Sequence, residues 1–210
     1  MKRFVLTLLL AAGAALTRPA AAQVYGQFGA AQPLEVDHRL AGAYLQFDQS
    51  SISLLGQLRL SFYPGVDFGF QGGLSRIDVG STSRTSVRVG GDFKVQVAKP
   101  GEARPLALAL GGALGIETAD TFTLLSVGPM LLASWALPSG DRFVPYGGLT
   151  LLFNRLDSGS KSTTDLTIPV RLGLLFRASP DLHLVGELQL NVSDEVRDDV
   201  SASVGANFPF

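Results

Sequence analysis

The sequence predicts an all-β chain, a transmembrane antiparallel up-and-down β-barrel of about ten strands, with eight or twelve as the alternatives. Three observations predict it. Apolar residues recur at every second position along most of the chain. Short Pro/Gly/Asp-rich turns recur about every 35 to 40 residues and alternate with polar, often longer connections, so the repeating unit is a hairpin. The apolar set is bulky in nearly every strand, whereas the opposite set is rich in Gly, Ala and Ser. A period of two belongs to a strand; an amphipathic helix would space its apolar residues three and four apart.

Residues 1–22 read as a cleavable export signal. Lys2 and Arg3 open it, Phe4 to Leu16 form an uncharged apolar run, and Ala20 and Ala22 supply a small-x-small site with Gln23 as the first mature residue. The run is too short to span about 30 Å of hydrocarbon, and Arg18 and Pro19 break its end. The remaining chain, 23–210, suits one domain with no linker. It keeps 14 of the 17 basic residues against 18 acidic ones, a net of about −4. That balance excludes the basic stripe nucleic acid requires. There is no cysteine, hence no thiolate metal site and no thiol nucleophile. No mature segment has 18 uninterrupted apolar residues, so any contact with lipid must be made by strands.

Within 23–48 the first strand has two candidates, residues 24–31 or residues 40–47, the latter pairing onward through Asp48, Gln49 and Ser50. Nine further strands follow at 52–63, 66–76, 86–98, 105–117, 122–138, 142–155, 165–178, 182–191 and 198–210. In the first of these, Ile52, Leu54, Leu58, Leu60 and Phe62 oppose Ser53, Gln57, Arg59 and Ser61; Pro64 and Gly65 then make the turn. Val66, Phe68, Phe70 and Leu74 oppose Asp67, Gly69, Gln71 and Gly73. Val87, Val89, Phe93, Val95 and Val97 oppose Arg88, Asp92, Lys94 and Gln96. Leu106, Leu108, Leu110, Leu114 and Ile116 oppose only Ala and Gly, while Leu166 to Phe176 and Leu182 to Leu190 oppose Thr167, Arg171, His183, Glu187 and Gln189. Short turns at 99–104, 138–141 and 179–181 face polar loops at 78–85, 118–121, 157–164 and 193–198. Pro129 and Pro169 fall inside strands, and a bulge or kink is expected near Pro129 because a closed barrel has no edge to excuse the missing N–H.

The sign of the faces follows from size. A ring of about ten strands cannot enclose so many Leu, Val and Phe side chains while leaving Gly, Ala and Ser to water, so the apolar set faces outward to lipid. Phe62, Tyr63, Trp135, Phe143, Tyr146, Phe176 and Phe208 lie near the short-turn ends, where an interfacial aromatic girdle belongs. The inward charges Arg59, Arg88, Asp92, Lys94, Arg171 and Glu187 are the one place to look for function. They form either an internal network that fills the barrel or the wall of a narrow pore, whose four basic and two acidic groups would favour anions.

Catalysis finds little material. His38 stands in a charged, solvated stretch, and His183 is inward near a short turn, about 13 Å from Glu187 at ~3.3 Å per residue. The acidic run from Asp194 to Asp199 has no EF-hand spacing. No enzyme activity, cofactor or metal is therefore expected.

The last strand places Val200, Ala202, Val204, Ala206, Phe208 and Phe210 at alternate positions and closes on an aromatic. This resembles the C-terminal insertion signal of bacterial outer-membrane β-barrel proteins, the broad group of small barrels often labelled porin-like. The resemblance implies residence in outer-membrane lipid, insertion by the barrel assembly machinery reading Phe208 and Phe210, and a structural or porin-like role. A monomer is expected.

Overall fold

Strict alternation makes each strand two-faced, and such strands bury neither face by pairing in a flat sheet; closure into a ring gives one face a shared interior. The computed structural model of the protein describes residues 26–79, 82–101, 105–137, 142–193 and 199–210. Its strands are β1 (Arg39–Phe47), β2 (Ser51–Tyr63), β3 (Val66–Val79), β4 (Thr82–Ala98), β5 (Leu106–Ala119), β6 (Phe122–Trp135), β7 (Phe143–Thr150), β8 (Leu152–Ser158), β9 (Lys161–Ser179), β10 (Leu182–Ser193) and β11 (Asp199–Pro209). Apart from β7 and β8, each pairs antiparallel with its sequence neighbours, and β11 returns to β1 through Leu40↔Pro209 to Phe47↔Ala202, closing the ring. Arg39 and Phe210 exchange backbone hydrogen bonds at 3.1 and 3.0 Å and lock the seam.

β7 and β8 are two halves of one strand, so the barrel has ten staves. Both halves pair with β6 on one side and β9 on the other. The interruption at Leu151 sits opposite Pro129: Leu151 N–H donates to the Pro129 carbonyl at 3.0 Å, but Pro129 has no N–H to return. The expected irregularity thus appears on the neighbouring strand, while β6 itself keeps its register, from Val127↔Phe153 to Met130↔Thr150. Pro169 lies one position from the same interruption on the β9 side, inward and fully buried.

The first strand is the second of the two candidates. Residues 26–38 do not pair as a strand; 26–34 run up inside the barrel from its short-turn end, and 35–38 are exposed. The polar segments expected as loops at 78–85 and 157–164 instead continue the ladders, to Val79↔Thr82 and Ser158↔Lys161. Beyond the lipid both faces of a hairpin tolerate Ser and Thr, and β-branched Thr favours the extended chain. Residues 1–25, which hold the expected cleavage site at Ala20, Ala22 and Gln23, and the acidic stretch 194–198 lie outside the described residues.

Outside, the apolar set is exposed on every stave, from Leu131 at 37% to Leu172 at 65%. From Ile52 to Phe62, or Leu166 to Phe176, the outward run rises roughly 33 Å along the strand, or about 25 Å once tilted by ~40°, the height of the apolar band of a membrane barrel. Phe62, Tyr63, Trp135, Phe143 and Phe208 are exposed at the short-turn end, and Phe176 stacks on Phe143 at 4.8 Å. Tyr146 departs from the expected girdle. It is inward and buried, because Phe143 is outward and three residues reverse the face.

Candidate functional site

The interior of the barrel is the candidate site. Inward glycines make room for its side chains: a Cβ on Gly69 would lie 2.4 Å from the Asp92 carboxylate and 2.6 Å from the Arg59 guanidinium. That space allows Arg59 to grip Asp92 with two nitrogens, Nη2 to Oδ1 at 2.7 Å and Nη1 to Oδ2 at 3.2 Å, while Nε and Nη2 both reach Asp67 Oδ1. Lys94 Nζ stands 3.4 Å from Asp67 Oδ2. Higher in the barrel Arg88 and Glu117 face each other across β4 and β5 at 3.1 Å; Ser86 Oγ donates to Glu117, and Arg88 Nη1 to Gln46 Oε1. Arg171 donates to Gln189 and Thr150 at 2.7 Å each and lies 4.0 Å from Glu187.

All six inward charges singled out in the sequence are in the lumen, and the structure adds Asp67 and Glu117. The ion pairs therefore join four basic to four acidic groups, and among these paired lumen charges of the described residues the expected excess of positive charge is cancelled. Alternation already sets Asp67 on the inward face with Gly69 and Gln71, although it is absent from the six charges, and the same parity carries Glu117 inward with Ala113 and Gly115.

The second component is residues 26–34, which fill the lumen. Glu187 accepts the N–H groups of Gln27 and Phe28 at 3.0 Å each, one on each oxygen, and Tyr146 Oη donates to the same carboxylate at 2.8 Å. Asn207 Nδ2 donates to the Phe28 carbonyl at 3.0 Å, and Gln71 Nε2 to that of Gly26 at 3.2 Å. Lys94 Nζ donates to the carbonyls of Ala30 and Gln32 at 2.6 and 3.3 Å. Ser134 Oγ accepts from Ala31 N–H, and Asp67 Oδ2 from Leu34 N–H. The Phe28 ring stacks on Tyr44 at 3.9 Å, inside an apolar cluster with Leu55, Val144, Tyr146, Leu175 and Val185. Tyr44 Oη in turn bonds Gln57 and Asn207. Ala31 packs on Ala107, Ala109, Met130 and Leu132. Residual space among Gly26, Gln27, Gln71, Asp92, Thr150 and Arg171 amounts to about 20 Å³, room for one or two waters. No periodicity in 26–34 announced this placement; the contacts that hold it come from residues up to 179 positions away.

Both histidines lie at the short-turn end. His38 is exposed with Nδ1 3.2 Å from the Val36 carbonyl oxygen, and His183 pairs across from Arg177 and Asn207. Among the described residues no three His, Asp or Glu side chains gather as metal ligands.

Among solved structures, the outer membrane protease OmpT of Escherichia coli superposes with a TM-score of 0.53 at 7% identity, over 82% of this chain and 97% of that one. The fold is that of an outer-membrane β-barrel. The N-terminal β-barrel domain of Pseudomonas aeruginosa OprF also matches, at a TM-score of 0.39 and 10% identity, over 83% of this chain and 98% of that domain. No protein-family model and no curated protein matches the sequence. In this barrel the lumen wall is occupied from Leu34 up to Gly26 by the chain itself.

Proposed function

We propose that the chain is a non-enzymatic barrel of the bacterial outer membrane whose lumen is sealed, exported by residues 1–22 and cut between Ala22 and Gln23. One observation carries this reading: residues 26–34 occupy the lumen, bonded to side chains of β3, β4, β6, β10 and β11. The balanced ion pairs support it, since each inward charge is directed at an opposite charge rather than at a passing solute. In this reading the short turns face the periplasm, and the polar hairpins at 78–85 and 157–164 stand outside the cell. Phe208, outward at the seam, and the terminal Phe210 serve as the signal for the assembly machinery. The closed ring leaves no sheet edge for a partner chain, which favours a monomer.

The test is single-channel recording on the full-length protein in planar bilayers. Silence across many insertions is expected, with folding verified by heat-modifiable migration. Stepwise conductance from the parent protein would overturn the sealed-barrel reading. The non-enzymatic part fails if purified barrel hydrolyses peptides or lipid esters and Glu187→Gln or His183→Ala abolishes the turnover.

A further inference from the structure

Deepening the sealed-barrel reading of the same lumen, we propose that residues 26–34 are a tethered ligand. The lumen is a binding site for a short peptide segment entered from the short-turn end, and the chain's own N-terminal segment fills it. Two features distinguish this from ordinary packing. First, recognition runs through the peptide backbone: Glu187, Asn207, Gln71, Lys94, Ser134 and Asp67 contact the main-chain N–H and C=O groups of Gly26, Gln27, Phe28, Ala30, Ala31, Gln32 and Leu34. A wall that reads backbone treats the segment as a ligand, whereas a core packs side chains against side chains.

Second, the segment adopts a conformation that only its partner supports. Phe28 has φ of +51°, a left-handed value that costs a residue with a Cβ. Immediately before that turn, the successive N–H groups of Gln27 and Phe28 meet the two oxygens of one carboxylate, that of Glu187, and Asn207 holds the turn by donating to the Phe28 carbonyl. Side-chain selectivity is confined to two places. The Phe28 ring needs the slot over Tyr44, and Ala31, wholly buried against Ala107 and Ala109, has room only for a small residue. The ligand class is thus a peptide with an aromatic residue followed three positions later by a small one.

The experiment uses the full chain with residues 26–34 deleted and a fluorescent synthetic peptide of residues 26–34. Anisotropy is read on barrels folded in detergent, with folding verified by heat-modifiable migration. Saturable binding is expected. It should weaken at least tenfold when the barrel carries Glu187→Gln, when the peptide is N-methylated at Gln27 and Phe28, or when the peptide carries Phe28→Ala. Full-length barrel, its site already filled, should bind the peptide at least tenfold more weakly than the deleted one. A folded deletion variant that does not bind, or that binds all four peptide and barrel forms alike, overturns the proposal.

If the deletion prevents folding, the full-length protein gives the answer through a thiol, because the chain has no cysteine of its own. Ala31→Cys should resist maleimide in the folded barrel, and adding Glu187→Gln should speed its labelling at least tenfold. Equal labelling with and without Glu187→Gln overturns the proposal. Conductance of the parent barrel would sink the sealed reading, yet leave these binding measurements to decide the site on their own.

Discussion

Asp67 shares its carboxylate among Arg59, the Lys94 ammonium 3.4 Å away and the N–H of Leu34, and it is fully buried. Asn at this position keeps the shape but removes the charge that two buried cations face, and a buried ion pair broken on one side costs about 3 kcal/mol or more. Asp67→Asn is therefore expected to lower the urea midpoint of the barrel in lipid vesicles. Asp157→Asn, in an exposed pair with Arg155, should leave it where it was. Equal midpoints for Asp67→Asn and the parent would show that the network does not carry stability. At this scale parity made most of the wall legible, because a strand fixes which way each residue points. Tyr146 was misplaced by its nearness to a turn, although its distance from outward Phe143 already set it inward. Which cation meets which acid was not legible, since Arg59 meets Asp92 only through the register of β2 on β3 and β3 on β4.

Strands bend most where a Cβ would collide with the neighbouring backbone, and in a narrow barrel those sites are inward glycines. Gly111 is one: a Cβ there would lie within 1.9 Å of the Phe93 carbonyl oxygen, which cannot move without dislodging β4. Gly186 faces outward with nothing within 4 Å. Gly111→Ala should cost about 1–3 kcal/mol and slow formation of the heat-modifiable barrel, as overpacking does. Gly186→Ala should fall within about 0.5 kcal/mol of the parent. Similar midpoints for the two variants would mean that the curvature does not depend on Gly111. The elements themselves were readable because lipid outside and a narrow interior impose opposite demands on alternate residues, from Ile52 to Phe208. Residues 26–34 escaped that logic. Rich in Gly and Ala and aperiodic, they belong to no face, and their position is set by side chains that arrive from five different strands. The hairpin at 157–164 looks like a loop in sequence for a related reason: beyond the apolar band the pattern that identifies a strand lapses while its hydrogen-bond ladder continues to Ser158↔Lys161.

The molecule as a whole turns the usual arrangement inside out, with ion pairs at the centre and Leu, Val and Phe at the surface. Such a surface has a sign that can be measured. Leu172 is outward near the middle of the band on β9, and Val97 is outward close to the short-turn end of β4. Arginine facing lipid costs about 2–4 kcal/mol at the midplane and falls to about 0–1 kcal/mol near the interface. Leu172→Arg should therefore lower stability in vesicles by several times as much as Val97→Arg, read as the difference in urea midpoints. On a protein surrounded by water both changes would stay within about 0.5 kcal/mol, because an exposed leucine there gains nothing from its surroundings. The comparison separates depth in a membrane from exposure to solvent. A Leu172→Arg variant as stable as Val97→Arg would mean that the apolar band is not held in hydrocarbon.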